Sequence, residues 1–297
     1  MTGAERGFLL LTGHLGSPVR RPLTAAQFRV LTERMQAASR NPEERDLVAE
    51  DLKILGYGAE MAERILQLLS EEALLDRYLQ RAKKLGCVPI TRISEAYPLV
   101  VRKRLGLDSP GCLWARGDVE LLKEPTISLV GSRELREENR RFAVEVGRQA
   151  ALQGYVLVSG NARGADRAAQ DSCLAHGGKV ISVVADELWK QPVRENVLYL
   201  SEDSYEEAFS AQRALSRNRV IHALGLKTFV AQSGLKTGGT WDGTVKNLRF
   251  GWSPVFCCDD GSEATEILCQ MGAAAVGVDE LNSIYDLSQN QTNFFDR

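Results

Sequence analysis

The chain has 297 residues, 44% of them hydrophobic and 26% charged, a composition that suits a folded globular protein of about two domains. Its 37 basic and 39 acidic residues leave a net charge of −2. That balance excludes a protein that coats long duplex with a basic surface, and leaves room only for a local basic pocket.

The opening stretch, MTGAERGFLLLTGHLGSPVRR, holds one apolar run at residues 8–11. The run is too short for a secretory signal or a membrane span, and no later stretch approaches ~18 uninterrupted apolar residues. Residues 23–85 carry helical spacing. Phe28, Leu31 and Met35 fall on one face behind a cap at Thr24, and Asn41-Pro42 reads as an N-cap with proline in the first turn. Met61, Ile65, Leu68 and Leu69 continue the pattern to a stop at Gly86. There is no sustained heptad and no internal repeat.

From Val88 the texture is short, turn-rich and punctuated by proline, and then an alternation begins. Apolar runs at residues 126–131, 155–160, 179–185, 226–234 and 253–258, with a weaker one at 273–278, read as strands. Helical segments at residues 138–154, 164–178, 206–225 and 238–251 separate them. Strands apolar along their whole length predict a parallel sheet covered on both faces. The expected fold is therefore α/β, a doubly wound, mostly parallel sheet over residues 88–297 behind a helical module over residues 1–87.

In such a sheet, ligands sit outside the carboxyl ends of the strands. Three strand ends combine glycine, a hydroxyl and a cation. The first is Gly131-Ser132-Arg133. The second holds Ser159, Gly160, Asn161, Arg163, Gly164 and Asp166. The third holds Gln232, Ser233, Gly234, Lys236, Thr237, Gly238, Gly239 and Thr240. Each precedes a helix whose first N–H groups favour an anion, so the three converging loops predict a phosphate or nucleotide pocket. Any one of them taken alone is usually just turn geometry. Asp166, second in its helix, repels a phosphate there and suits a helix cap or a sugar hydroxyl better.

Other signatures are excluded. No G-x-G-x-x-G follows the first strand, and SGLKTGG lacks the glycine that a P-loop places before its lysine. Cys87, Cys112, Cys173, Cys257, Cys258 and Cys269 form no C-x-x-C pair, and with three histidines in the chain no zinc site is expected. Free, mostly buried thiols in a reducing cytoplasm fit best. Arg217 and Arg219 flank Asn218 ahead of a buried stripe at Val220, Ile221, Ala223 and Leu224. They read either as phosphate ligands or as a surface pair. His222 reads as a packed core histidine. Glu202, Asp203, Glu206 and Glu207 read as a solvated acidic stretch, and no Ser-His-Asp or Cys-His set is legible.

ISLVGSR, VLVSGNARGADRAA, SRNRVIHALG and SGLKTGGT occur in the order and spacing of the DNA-processing protein A family (DprA, also called Smf), and ISEAYP and PGCLWARGDVELL resemble that family's approach to its first Rossmann strand. The resemblance covers roughly residues 78–281. It implies an extended Rossmann-like fold that binds single-stranded DNA and helps load a recombinase, without established catalysis. The positions that match its motifs are Gly131, Ser132, Arg133, Ser159, Gly160, Gly164, Asp166, Arg217, Asn218, Arg219, Ser233, Gly234 and Thr240. The sequence departs from the usual pattern at Asn161 and Ala165, where aliphatic residues are usual. It departs again at Gln170 in place of histidine, at Gln232 in place of glutamate, and at TWDGT. No C-terminal winged helix is expected after NQTNFFDR.

The reading carried forward is a non-enzymatic, cytoplasmic single-strand-binding protein without cofactor or membrane association. A homodimer and a recombinase or defence-system partner are expected with it. Trp241 is the obvious stacking candidate beside the loops. The alternatives are a sensor of a nucleotide or nucleotide derivative in a stress or phage-defence system, and an enzyme that cleaves a nucleotide's glycosidic bond. The glycine-rich motif and glutamate of such enzymes are not visible.

Overall fold

A computed structural model describes residues 1–38, 47–202 and 204–289. The expected cap at Asn41-Pro42, Asp203 and the NQTNFFDR terminus lie outside them. The chain divides into two compact units, Met1–Tyr97 with Pro110–Leu113, and Pro98–Ser109 with Trp114 onward.

The first unit is helical: α1 (Gly3–Thr12), α2 (Ala25–Ala37), α3 (Ala49–Ile54), α4 (Ala59–Ser70) and α5 (Glu72–Lys84), followed by strand β1 (Val88–Thr91). The apolar run near the N-terminus is the buried side of α1, which a reciprocal capping box between Thr2 and Glu5 starts. Thr24 caps α2 as its sequence predicts, with Gln27 returning the bond. Leu11, Leu23, Leu31, Leu52, Ile65 and Leu68 form the core. The buried Arg20 guanidinium donates to Leu10 O at 2.5 Å and pairs with Glu71 at 2.5 Å, setting a cation at the C-terminal turn of α1. An apolar cavity of about 210 Å³ between α2 and α4, lined by Leu23, Val30, Tyr57, Met61 and Ile65, contains none of the expected site residues. The unit runs past residue 88 to Tyr97 because Ile90 is buried and the Tyr97 hydroxyl donates to Pro110 O at 2.7 Å.

The second unit is built on a parallel sheet. Its elements are α6 (Leu99–Leu105), β2 (Cys112–Gly117, entering from the first unit), β3 (Thr126–Val130), α7 (Glu137–Leu152), β4 (Val156–Ser159), α8 (Ala165–Ala175), β5 (Lys179–Val183) and β6 (Val197–Ser201). Then follow α9 (Ala211–Ser216), α10 (Asn218–Leu224), β7 (Thr228–Val230), α11 (Gly238–Phe250), β8 (Val255–Cys258), α12 (Glu263–Gln270) and β9 (Ala274–Val276). The strand order is β2-β6-β5-β4-β3-β7-β8-β9. All neighbours from β6 to β9 are parallel, and β2 is antiparallel to β6. This is the doubly wound, mostly parallel α/β sheet that the apolar runs predict.

Several elements differ from the sequence reading, among them β1 and β2, strands within the turn-rich stretch. β6 and α6 were hidden, β6 because no helix separates it from β5 and α6 because it lies in the proline-punctuated stretch. The helix expected over residues 206–225 is two helices that meet at Arg217, whose guanidinium turns into the sheet and donates to Val183 O. Thr126 Oγ1 donates to Leu224 O at 2.7 Å and Ser128 Oγ to Ile221 O at 2.5 Å, so α10 runs antiparallel to β3. Its first residues therefore lie at the strand's carboxyl end. The six cysteines are free, four of them buried. Among the described residues no helix is long and apolar enough to cross a membrane.

Candidate functional site

The chain leaves β3 in both directions, through β4, β5 and β6 on one side and β7, β8 and β9 on the other. The crevice outside the carboxyl ends of β4, β3 and β7 is thus the topological switch point of the sheet. The three glycine-bearing loops singled out in the sequence meet there. Ser132 N–H and Oγ both donate to Gln232 O, at 3.0 and 3.1 Å, and Ala165 N–H donates to Ser132 O at 3.2 Å. Such stitching needs close backbones. A Cβ at Gly131 would stand 2.5 Å from the Ala165 Cβ, and Gly164, at φ +82°, lies against the carbonyls of Ser132 and Arg133.

The middle of the crevice is a braced floor. Asp166 is buried and its carboxylate accepts the N–H of Ala162 at 3.1 Å and that of Gly160. It caps its own loop, the structural role allowed for it above. Burial pushes its pKa up, opposed by Arg217, the two amides and Arg133. Arg217 is itself buried and lies so close over Gly160 that a Cβ there would overlap the guanidinium. Burial pushes its pKa down, against the attraction of Asp166 and Asp186. Ser159 Oγ accepts from Gln170 Nε2 at 2.5 Å beneath them. Ser159, Gly160 and Asp166 therefore spend their polar groups inside the protein, and Arg217 is buried with them, one end of its guanidinium on Val183 O and its Nε without a partner among the described residues.

Two sequence readings are corrected here. Arg217 and Arg219 are not a surface pair. Arg219 pairs with Glu202 at 2.7 Å and donates to Asp108 O at 3.0 Å and Ser216 O at 2.9 Å. Glu202 correspondingly leaves the solvated acidic stretch, its side chain 5% exposed. Nothing in the local sequence marks it, because its partner is 17 positions away. Asn218 reaches across to Gly239 O at 3.0 Å and ties α10 to the third loop. His222 is a buried core histidine, as expected, and its Nδ1 accepts from Asn247 Nδ2 at 3.0 Å. Burial alone pushes its pKa down to about 3.

The rim is different. Arg133, Arg163 and Lys236 are exposed, and none of the three enters an ion pair among the described residues. Asn161 stands at φ +60° with its amide 3.3 Å from Gln191 Oε1. The third loop makes one short bridge, Gly234 to Thr237, and then passes through Lys236 at φ +53° and Gly238 at φ +85° into α11, which has no side-chain cap. Thr240 and Trp241, in the first turn of α11, are half-buried, and Ser233 Oγ bonds Gly234 O at 3.1 Å. The helix N-termini are not equally open to an anion. The first turn of α7 carries Glu137 and Glu138, and Arg136 N–H at its start donates to Gln232 Oε1 at 2.9 Å. A clamp that the sequence did not signal fixes this loop: Asn139 Nδ2 donates to Ala231 O and to Asp260 Oδ2, each at 2.7 Å, and Arg136 also pairs with Asp260. Among the described residues no group of three or more His, Cys, Asp or Glu side chains is placed to hold a metal ion.

A model of the family described as DNA recombination-mediator protein A matches residues 89–286. The chain belongs to that family. DNA processing protein DprA of Streptococcus pneumoniae is 27% identical over 211 residues, which span 63% of this chain and 74% of the relative. The X-ray structure of DprA from S. pneumoniae matches with a TM-score of 0.69 and 24% identity, over 90% of this chain and 95% of that one. A structure of DNA processing protein A from Helicobacter pylori, described for its single-stranded DNA binding mode, matches with a TM-score of 0.56 and 24% identity, over 66% of this chain and 93% of that one.

Three of the positions at which this DNA recombination-mediator protein A member departs from the usual pattern have describable surroundings. Gln170 spans Ser159 and Ser182, two buried hydroxyls on adjacent strands. Gln232 uses both ends of its amide, accepting from Arg136 N–H and donating to Glu134 O at 3.3 Å, which a carboxylate cannot do. Ala165 is fully buried beside Gly131, where a Cβ added to the glycine would stand 2.5 Å from its own.

Proposed function

We infer that this chain binds single-stranded DNA in the crevice at the carboxyl ends of β4, β3 and β7, as a binding protein and not as an enzyme. The observation that carries the reading is the separation of roles within the crevice. Most polar groups of its floor bond within the protein, Arg217 Nε excepted, whereas Arg133, Arg163 and Lys236 stand around its rim in no ion pair among the described residues. Unpaired cations on a near-neutral protein make a local track for a phosphate backbone. The relatives are DNA processing proteins, and the H. pylori protein is described as binding single strands.

The test is a salt titration of a fluorescein-labelled single-stranded oligonucleotide, followed by anisotropy. Affinity should fall steeply with salt. Arg133→Ala, Arg163→Ala and Lys236→Ala should each weaken binding across sequences and flatten the log–log slope by about 0.7 for each phosphate no longer neutralised. Affinity that stays flat from low to physiological salt overturns the reading. A thermal-shift panel in which a mononucleotide stabilises the protein and oligonucleotides do not would favour the nucleotide sensor instead. Release of free base would favour the glycosidase. Sedimentation velocity measures whether the chain is the homodimer expected with single-strand binding.

A further inference from the structure

The connection from β5 to β6 leaves the crevice end of one strand and has to return to the opposite end, because the two strands are parallel. Its first half is fixed from several directions. Val184 N–H donates to Leu200 O at 2.7 Å, Trp189 N–H donates to Tyr205 O at 3.2 Å just past the exit of β6, and Leu188 is fully buried. Gln191 is buried, accepts on its carbonyl from Arg116 Nε at 2.8 Å, and accepts on its side chain from Asn161 of the β4–α8 loop. On this hydrogen-bonded turn stands an exposed indole. Trp114 and Trp252 are buried, but Trp189 is 36% exposed, with Lys190 Nζ held 5.4 Å over its ring by Glu187.

We propose that Trp189 is a base-stacking platform of the crevice, receiving a base of a single strand whose phosphates track the rim cations; the proposal rests on the single-strand reading above. An indole offers a large flat face to any base, and on a fixed turn little conformational entropy is lost when a base stacks on it. Its position sets the ligand's size. β6, whose exit holds the Trp189 backbone, is three strands from β3, about 14 Å at the usual spacing of about 4.8 Å. A mononucleotide with its phosphate at Arg133 does not cover that distance, whereas several linked nucleotides do. Trp241, on the β7 side, then stands beyond the opposite margin of the same track.

The experiment uses the full chain, labelled dT12 and unlabelled dTMP as competitor. Trp189→Ala should weaken dT12 binding about tenfold, with the salt slope, the dTMP affinity and the melting temperature unchanged, and Trp189→Phe should recover most of the loss. Quenching of intrinsic tryptophan fluorescence by dT12 should shrink in Trp189→Phe. Wild-type affinity for dT12 in Trp189→Ala overturns the proposal, and so does an equal loss of dT12 and dTMP affinity, which would mark a general disturbance of the crevice. A wild-type protein that does not bind dT12 at all removes the single-strand reading itself, and the platform with it.

Discussion

The loops after β4 and after β7 face the same crevice and look alike in sequence, each a glycine-rich turn carrying a hydroxyl and a cation. In the structure they are opposites. The β4–α8 loop donates its Gly160 and Ala162 amides to the buried Asp166 and lies under the buried Arg217. The β7–α11 loop exposes Leu235, Lys236, Thr237 and Gly238, places two of them at positive φ, and enters its helix without a side-chain cap. The lesson is that a phosphate-loop composition does not by itself make a ligand loop. One copy is a preorganised floor and the other is left with donors to offer.

That contrast is most exposed to substitutions in the floor. Arg217→Leu should lower unfolding stability by about 3 kcal/mol, because it leaves the Asp166 carboxylate buried without its cation. Adding Asp166→Asn should restore part of the loss, giving a coupling above about 1 kcal/mol in urea unfolding. If Arg217→Leu unfolds like wild type, the floor is not braced as described. Gly164→Ala should cost a similar amount, about 3 kcal/mol, since it sets a Cβ at φ +82° against two carbonyls.

The brace behind the open loop is uncharged, and it should respond to pH. His222 of α10 bonds Asn247 of α11, and because Asn247 Oδ1 already accepts Ser253 N–H, its amide nitrogen must donate to His222 Nδ1. Burial holds the folded ring neutral, at a pKa near 3 in place of 6.5. The unfolded chain binds the extra proton between those values. The contribution is complete above pH 6.5 and drains as pH falls towards 3, by about 1.4 kcal/mol per unit. Stability at pH 5 should accordingly lie about 2 kcal/mol below that at pH 7 through this residue, and His222→Asn should flatten that part of the profile in urea melts at several pH values.

The smallest effect on folding belongs to the open loop. Lys236→Gly and Lys236→Ala should each change stability by no more than about 0.5 kcal/mol, because the side chain is exposed and unpaired and relief at φ +53° is offset by chain entropy in the unfolded state. Both should still weaken oligonucleotide binding equally. A loss of 2 kcal/mol in folding would erase the distinction between the two loops.

Much of this arrangement was legible in the chain. The apolar runs at β3, β4, β5, β7 and β8 were visible because strands buried on both faces are hydrophobic along their length, and the run at β9, an edge strand with Ala275 exposed, is the weaker one. The glycines at 131, 160 and 164 were visible because close backbone approach admits little else. β6 was not, since a loop without a helix precedes it and the expected alternation passed over it. Glu202 was misread because a carboxylate beside other acids looks solvated until a distant arginine is brought to it. Asp260 carried no signal, its partners Arg136 and Asn139 lying more than 120 positions away.

The sequence alone determined the class of sheet, the crevice at its switch point and the family, because hydrophobic period, strand order and glycine placement are local or ordered along the chain. Only the tertiary structure decided which charges in that crevice are spent. Arg133, Arg217 and Arg219 are the same residue type in similar motifs, yet one is exposed, one is buried against Gly160 and one is paired with Glu202. What a charge can still bind depends on the partners the fold brings to it, and those partners lie far from it along the chain.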